Sequence, residues 1–121
     1  MDYRRLILLF VFSVFCFSCN NKEIPFDSKK WYEKTDGFYK YREQMVNDLI
    51  TNHLNTESTY NQIVEKIGKP NYIEDSINIS IAYFISEKYG LDIDPKESKT
   101  LIISFTKDSI FKKAELKHYK K

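Results

Sequence analysis

At Gly68-Lys69-Pro70 the hydrophobic period of this chain changes, and that change restricts its fold more than any other feature. Before it, apolar residues recur every three to four positions. After it, they alternate. Tyr60, Ile63, Val64 and Ile67 form one stripe of a helix. Thr59 and Gln62 have the spacing of a capping box, in which each side chain serves the other's free backbone N–H. Gly68 supplies a C′ residue without a Cβ, and Pro70 cannot continue the helix. Farther upstream, Phe38, Tyr41, Met45, Leu49 and Ile50 have the same helical spacing, so a first helix is expected over 38–54. Ile79, Ile81, Tyr83 and Ile85, then Leu101, Ile103 and Phe105, alternate as strands. Thr106 to Ser109 reads as a turn into a last strand that turns Ile110, Ala114 and Leu116 inward, and the charged stretch 87–100 reads as a long loop. The prediction is an α+β domain over 36–121. Two N-terminal helices pack on a small antiparallel β-meander of three strands, with Tyr72–Asp75 as a fourth at the edge.

Residues 1–18 have a different character. Arg4 and Arg5 precede an uncharged apolar run from Leu6 to Phe17, which at about 1.5 Å per residue is too short to cross a hydrocarbon core of roughly 30 Å. It has the length of a secretory signal. Ser18 then meets Cys19, followed by Asn20-Asn21-Lys22-Glu23, and this arrangement resembles a bacterial lipoprotein signal. The resemblance implies cleavage after residue 18 and lipidation at Cys19. Cys16 and Cys19 are the two cysteines, so a mature chain that starts at Cys19 holds no disulfide and no cysteine pair for a metal. Two or more acyl chains give the firm attachment that a single chain does not. Residues 19–35 read as the lipidated Cys and a polar tether. Trp31 and Tyr32 within them are expected either to dock on the domain or to touch a partner or the lipid interface.

Leu54, Thr59, Gln62, Ile63, Gly68 and Pro70, with Leu101 to Phe105, the following turn and Ile110, resemble the BamE/SmpA-like family of small outer-membrane lipoproteins. Glu57 and Ser109 stand where that family's pattern has glycine. The resemblance implies a non-catalytic, protein-binding accessory of outer-membrane protein assembly.

The inventory of reactive residues points away from catalysis. His53 and His118 are the two histidines, and neither has a nucleophile at a recognisable spacing. There is no phosphate-binding glycine loop and no nucleophile elbow. Asp92, Asp94 and Glu97 form an acidic string that lacks the glycine and terminal Glu of an EF-hand, so it reads as a solvated loop rather than a metal site. Nineteen Lys and Arg against seventeen Asp and Glu is too balanced for a nucleic-acid binder. Lys112, Lys113, Lys117, Lys120 and Lys121 make the C-terminus basic, which either protects a strand edge or attracts anionic headgroups. Asp75-Ser76-Ile77 and Asp108-Ser109-Ile110 share a tripeptide that resembles an envelope O-glycosylation sequon. The expected protein is a lipid-anchored, periplasm-facing binding module of the outer membrane, with no enzyme activity and no cofactor. Its partner is another envelope protein, with Tyr89 and Tyr119 as contacts. An inhibitor or immunity-type lipoprotein that binds a periplasmic enzyme or toxin is the alternative.

Overall fold

The computed structural model describes residues 22–91 and 93–121. Cys19, the signal segment and Asp92 lie outside them. Helix α1 (Ser28–Trp31) is followed by a two-stranded hairpin, β1 (Lys34–Thr35) and β2 (Phe38–Tyr39). Helix α2 (Arg42–Asp48) continues into a π-helical turn, Leu49–His53, and helix α3 (Tyr60–Ile67) comes next. The chain then builds a four-stranded antiparallel meander, β3 (Tyr72–Asp75), β4 (Ile79–Tyr89), β5 (Pro95–Phe105) and β6 (Phe111–Lys120), in sequential order.

The prediction of two helices on a single three- or four-stranded sheet is therefore corrected. The described residues hold three α-helices and six strands in two antiparallel sheets. The first error lies at 38–41. Asp36 and Gly37 both take positive φ, 54° and 85°, and close a tight hairpin, so Phe38 and Tyr39 are strand and α2 starts only at Arg42. Asp-Gly is a strong hairpin signal, and here it overrides the helical spacing around it. The second lies at 87–100, which is strand on both sides of a short tip rather than a long loop. Glu87 pairs with Ser98, Lys88 with Glu97, and Glu97 with Lys120. Cross-strand charge pairs hold such a ribbon without an apolar alternation to announce it.

Residues 22–35 are also part of the domain rather than a free tether. Ile24 N–H donates to Gln44 O at 3.1 Å and Phe26 N–H to the Asp48 carboxylate at 2.7 Å. Asp27 caps α1 by accepting from the backbone N–H groups of Lys29 and Lys30. Trp31 is fully buried, and Ile24 and Phe26 pack against the core. The core lies between the helices and one sheet face. Met45, Val46, Leu49, Ile63 and Ile67 meet Ile81, Tyr83, Ile85, Leu101, Ile103 and Phe105, with Ala114 and Leu116 half-buried at the margin.

The capping box forms as its spacing predicts: Gln62 N–H donates to Thr59 Oγ1 at 3.2 Å, and Thr59 N–H to Gln62 Oε1 at 3.0 Å. The start of α3 is fastened to the β5–β6 turn, because Tyr60 N–H donates to Ser109 O and Phe111 N–H to Ser58 O. Ser109 adopts φ 61° to make this turn, at a position where a glycine would be unstrained. At the other end of α3, Gly68 has φ 85°, and a Cβ there would overlap the Tyr32 ring. Gly68→Ala is expected to lower stability by about 2 kcal/mol or more, through backbone strain and displacement of Tyr32, measured by urea denaturation.

The Phe26 amide, then Asn52 and His53, hold the Asp48 carboxyl below its ordinary value of 3.8. A depressed carboxylate supplies stability that is complete above its unfolded pKa and is lost as pH falls through the lower folded value. Asp48→Asn should therefore flatten the acid limb of the stability curve below pH 3.8. Hydrogen exchange at the Phe26 amide should accelerate over the same interval in the parent chain and not in the variant.

Candidate functional site

Arg42 is the first residue of α2 and is 1% exposed, which is unusual for a charged side chain. It lies three residues before Met45 and seven before Leu49, and so falls on the buried stripe of the helix. Its Nε donates to the Trp31 carbonyl at 2.9 Å, and Nη1 donates to Asn71 Oδ1 at 3.1 Å and to the Phe84 carbonyl at 2.8 Å. The guanidinium carbon sits 3.3 Å from the centre of the Tyr39 ring and 4.7 Å from that of Trp31. Carbonyl dipoles and aromatic faces thus replace the carboxylate that usually neutralises a buried cation. Burial pushes its pKa down to about 10, so it stays charged at neutral pH.

Asn71 completes the knot. Its Oδ1 also accepts from Phe84 N–H at 2.9 Å, and its Nδ2 donates to Tyr39 Oη at 2.9 Å. Burial alone would raise the Tyr39 phenol. The Asn71 hydrogen bond and the charges of Arg42 and Lys34 outweigh it, and the phenol is lowered. The knot needs an irregular strand. Phe84 pairs with Thr100 and Ser86 with Lys99, so Ile85 is an extra residue in β4. At this bulge the Phe84 N–H and C=O are both taken by side chains, Asn71 and Arg42.

Past Ala82, which pairs with Tyr72 at the end of β3, strand β4 continues for seven residues, and its edge is flanked there by the small hairpin, which belongs to a separate sheet. Between the two is a groove of about 240 Å³, walled by Gly37, Phe38 and Tyr39 on one side and by Phe84 to Lys88 on the other. Glu43 lies at its border and accepts from Lys99 Nζ at 2.9 Å, with Lys88 Nζ at 3.8 Å. Phe38 and Phe84 are 43% and 45% exposed, and Phe38 also packs edge-on against Tyr89. The groove is apolar in its walls and charged at its mouth.

Apart from Tyr89, which packs on Phe38 beside it, the structure places the other candidate residues away from this groove. His53 pairs with Asp48 at 3.1 Å, and His118 with Glu97 at 2.6 Å across β5 and β6. Asp94 and Glu97 are separated, Asp94 at the tip and Glu97 within the β5–β6 ladder. Among the described residues, no group of three His, Cys, Asp or Glu could hold a metal, and no helix is long and apolar enough to cross a membrane. Tyr89 and Tyr119 are half-exposed at the β4 and β6 ends, and Tyr89 Oη donates to Glu87. The Trp31 indole N–H is buried without a hydrogen-bond partner. Sequence reasoning missed Arg42, Asn71 and the groove. The helical offset of Arg42 from Met45 and Leu49 was the available signal for the first, and Asp36-Gly37 for the hairpin wall.

No family model, no curated protein and no solved structure matches this chain.

Arg42→Met, close in volume, removes the side-chain donor to the Trp31 and Phe84 carbonyls together with the ring-stacked charge. A loss of about 3 kcal/mol or more is expected in chemical denaturation. Arg42→Lys should recover little of it, because an ammonium cannot reach three acceptors in the guanidinium plane.

Proposed function

We propose that this protein is a lipid-anchored, non-catalytic binding module of the bacterial outer membrane, facing the periplasm. Acyl chains on Cys19 would hold it there, and the groove between β2 and β4 would take an apolar segment of another envelope protein. The observation that carries the binding part is the pair Phe38 and Phe84, each over two-fifths exposed and facing one groove beside a strand edge. Exposed aromatics in a concave site are the usual anchors of a protein interface, and the charged mouth at Glu87 and Lys88 supplies orientation. The bulge and the Arg42 knot hold the groove walls in place before any partner arrives, which reduces the ordering cost of binding.

The anchoring part rests on the Leu6–Phe17 run ending at Ser18-Cys19. Membership of the BamE/SmpA-like family belongs to the same proposal and is supported by Thr59, Gln62, Gly68 and Pro70 in the register of that family. It makes the barrel-assembly machinery the partner to look for first.

The test is affinity purification of the tagged, full-length protein from detergent-solubilised envelopes, beside a Phe38→Ser/Phe84→Ser variant. Both side chains are exposed enough for the variant to fold. Barrel-assembly components should co-elute with the parent and be depleted at least about tenfold with the variant, as loss of two interface anchors predicts. Equal recovery by both proteins removes the groove from the reading. Recovery of a single periplasmic enzyme or toxin in place of assembly components would assign the inhibitor role instead.

A further inference from the structure

We propose that Ser76 is a modification site, the acceptor of an O-linked glycan at the turn between β3 and β4. The inference rests on the reading of the chain as an exported envelope protein and adds a modification to it. Asp75-Ser76-Ile77 and Asp108-Ser109-Ile110 carry the same sequon-like pattern, and both fall at turns on one end of the meander. The structure separates the two. Asp75 pairs with Ile79 as the last rung of the β3–β4 hairpin, so Ser76, Ile77 and Asn78 form a three-residue loop. Every residue from Asn71 to Asn78 is exposed. Among the described residues, neither the Ser76 hydroxyl nor the Asp75 carboxylate is engaged in a hydrogen bond or ion pair. Such a loop can enter an enzyme's cleft without breaking a ladder bond. Ser80, Ser86, Ser98 and Ser104, in contrast, are held at paired positions within strands.

Ser109 is held as well. Its N–H donates to Thr106 O at 2.9 Å and its C=O accepts from Tyr60 N–H at 2.8 Å. The neighbouring Phe111 N–H donates to Ser58 O at 2.7 Å, which closes the clasp between this turn and the start of α3. Presenting Ser109 to a transferase would mean opening that clasp. Ser76 needs no such opening.

The surroundings of Ser76 also contain apolar surface that the fold leaves uncovered. Ile77 is 84% exposed, and Tyr72 and Ile73 on β3 are 60% and 48% exposed. The two outer strands of the sheet differ: β6 carries Lys112, Lys113, Lys117 and Lys120, whereas β3 carries no lysine. Bare apolar strand edges invite pairing with other chains, and a glycan is bulky and strongly hydrated. Attached to Ser76, it covers Ile77 and the end of β3. Phe84, in the wall of the groove, is five residues beyond Ile79, about 17 Å along β4, so the sugar leaves the groove open.

The donor is a sugar carried on a phosphate or diphosphate. Ser76 Oγ attacks its anomeric carbon, and the Oγ–C1 bond forms as the bond from C1 to the phosphate oxygen breaks. The hydroxyl proton passes to a base of the transferase, and the phosphate leaves with the bonding pair. Asp75 and Ile77 flank the acceptor as a free carboxylate and a free aliphatic group, the two features by which the transferase selects it.

The test is peptide mapping of the full-length protein purified from its own envelope. Trypsin leaves the Lys69–Pro70 bond intact, so the two sequons fall on separate peptides, residues 67–88 and 108–112. Peptide 67–88 should carry a series of sugar-residue mass increments, which electron-transfer fragmentation places on Ser76. Ser76→Ala and Asp75→Asn alter exposed side chains without partners and are expected to fold as the parent does. Both should lose the increment completely, and Ser109→Ala should keep it. An unmodified 67–88 peptide from protein acylated at Cys19 overturns the glycan and leaves the anchored reading intact. Sugar only on 108–112, or on another residue of 67–88, overturns the choice of Ser76. A full increment in Asp75→Asn overturns the sequon by which the site is recognised. Protein that retains residues 1–18 in the cytoplasm overturns the envelope reading and this inference with it.

Discussion

A single buried cation holds together parts of this chain that are far apart in sequence. Arg42 draws the carbonyl at the end of α1, the side chain of Asn71 beyond the helix stop, and the carbonyl of Phe84 at the β4 bulge onto one planar group. A buried charge is costly to desolvate, and no carboxylate offsets that cost among its hydrogen-bond partners. Directed carbonyls and the faces of Tyr39 and Trp31 do so, but only when all of them are in place. The arrangement is therefore conditional. Arg42 stabilises the fold once the N-terminal segment, the hairpin and the bulge are assembled around it, and leaving any one out exposes an unmet charge.

This conditionality explains why residues 22–41 belong to the domain. Alone, a four-residue helix and a two-residue hairpin have no stability. They are ordered because Trp31 fills the core, the Phe26 amide binds Asp48, and Tyr39 stacks on the guanidinium. The same contacts set the groove. Its hairpin wall stands where Tyr39 stacks on Arg42, and its strand wall is shaped by the bulge that Arg42 and Asn71 satisfy. Both walls of the groove are thus fastened to the core beneath them, and Phe38 and Glu43 carry contacts on to Tyr89, Lys88 and Lys99 of the β4–β5 ribbon.

Particular elements show how far the residues alone could lead. The capping box at Thr59 and Gln62 and the stop at Gly68 and Pro70 are local devices, decided within a few residues, and they appear in the structure as spacing predicts. The alternation at Ile79–Ile85 and Leu101–Phe105 likewise identifies the core face, because side chains on a strand repeat every two residues. The start of α2 was misread because Phe38 and Tyr41 happen to match a helical period. The Asp36-Gly37 turn, also local, carried the contrary signal. The charged ribbon of 87–100 has no period to read. Its pairing comes from partners on other strands.

By itself, the sequence determined where helix gives way to strand, which faces are apolar, and that both cysteines lie ahead of the domain. These follow from backbone chemistry and periodicity at short range. Only the tertiary structure decided that Arg42 is interior, that Asn71 serves three partners at once, and that Phe38 and Phe84 line one groove. Those facts depend on contacts between residues tens of positions apart, and nothing in the neighbourhood of any one of them encodes the distance to the others.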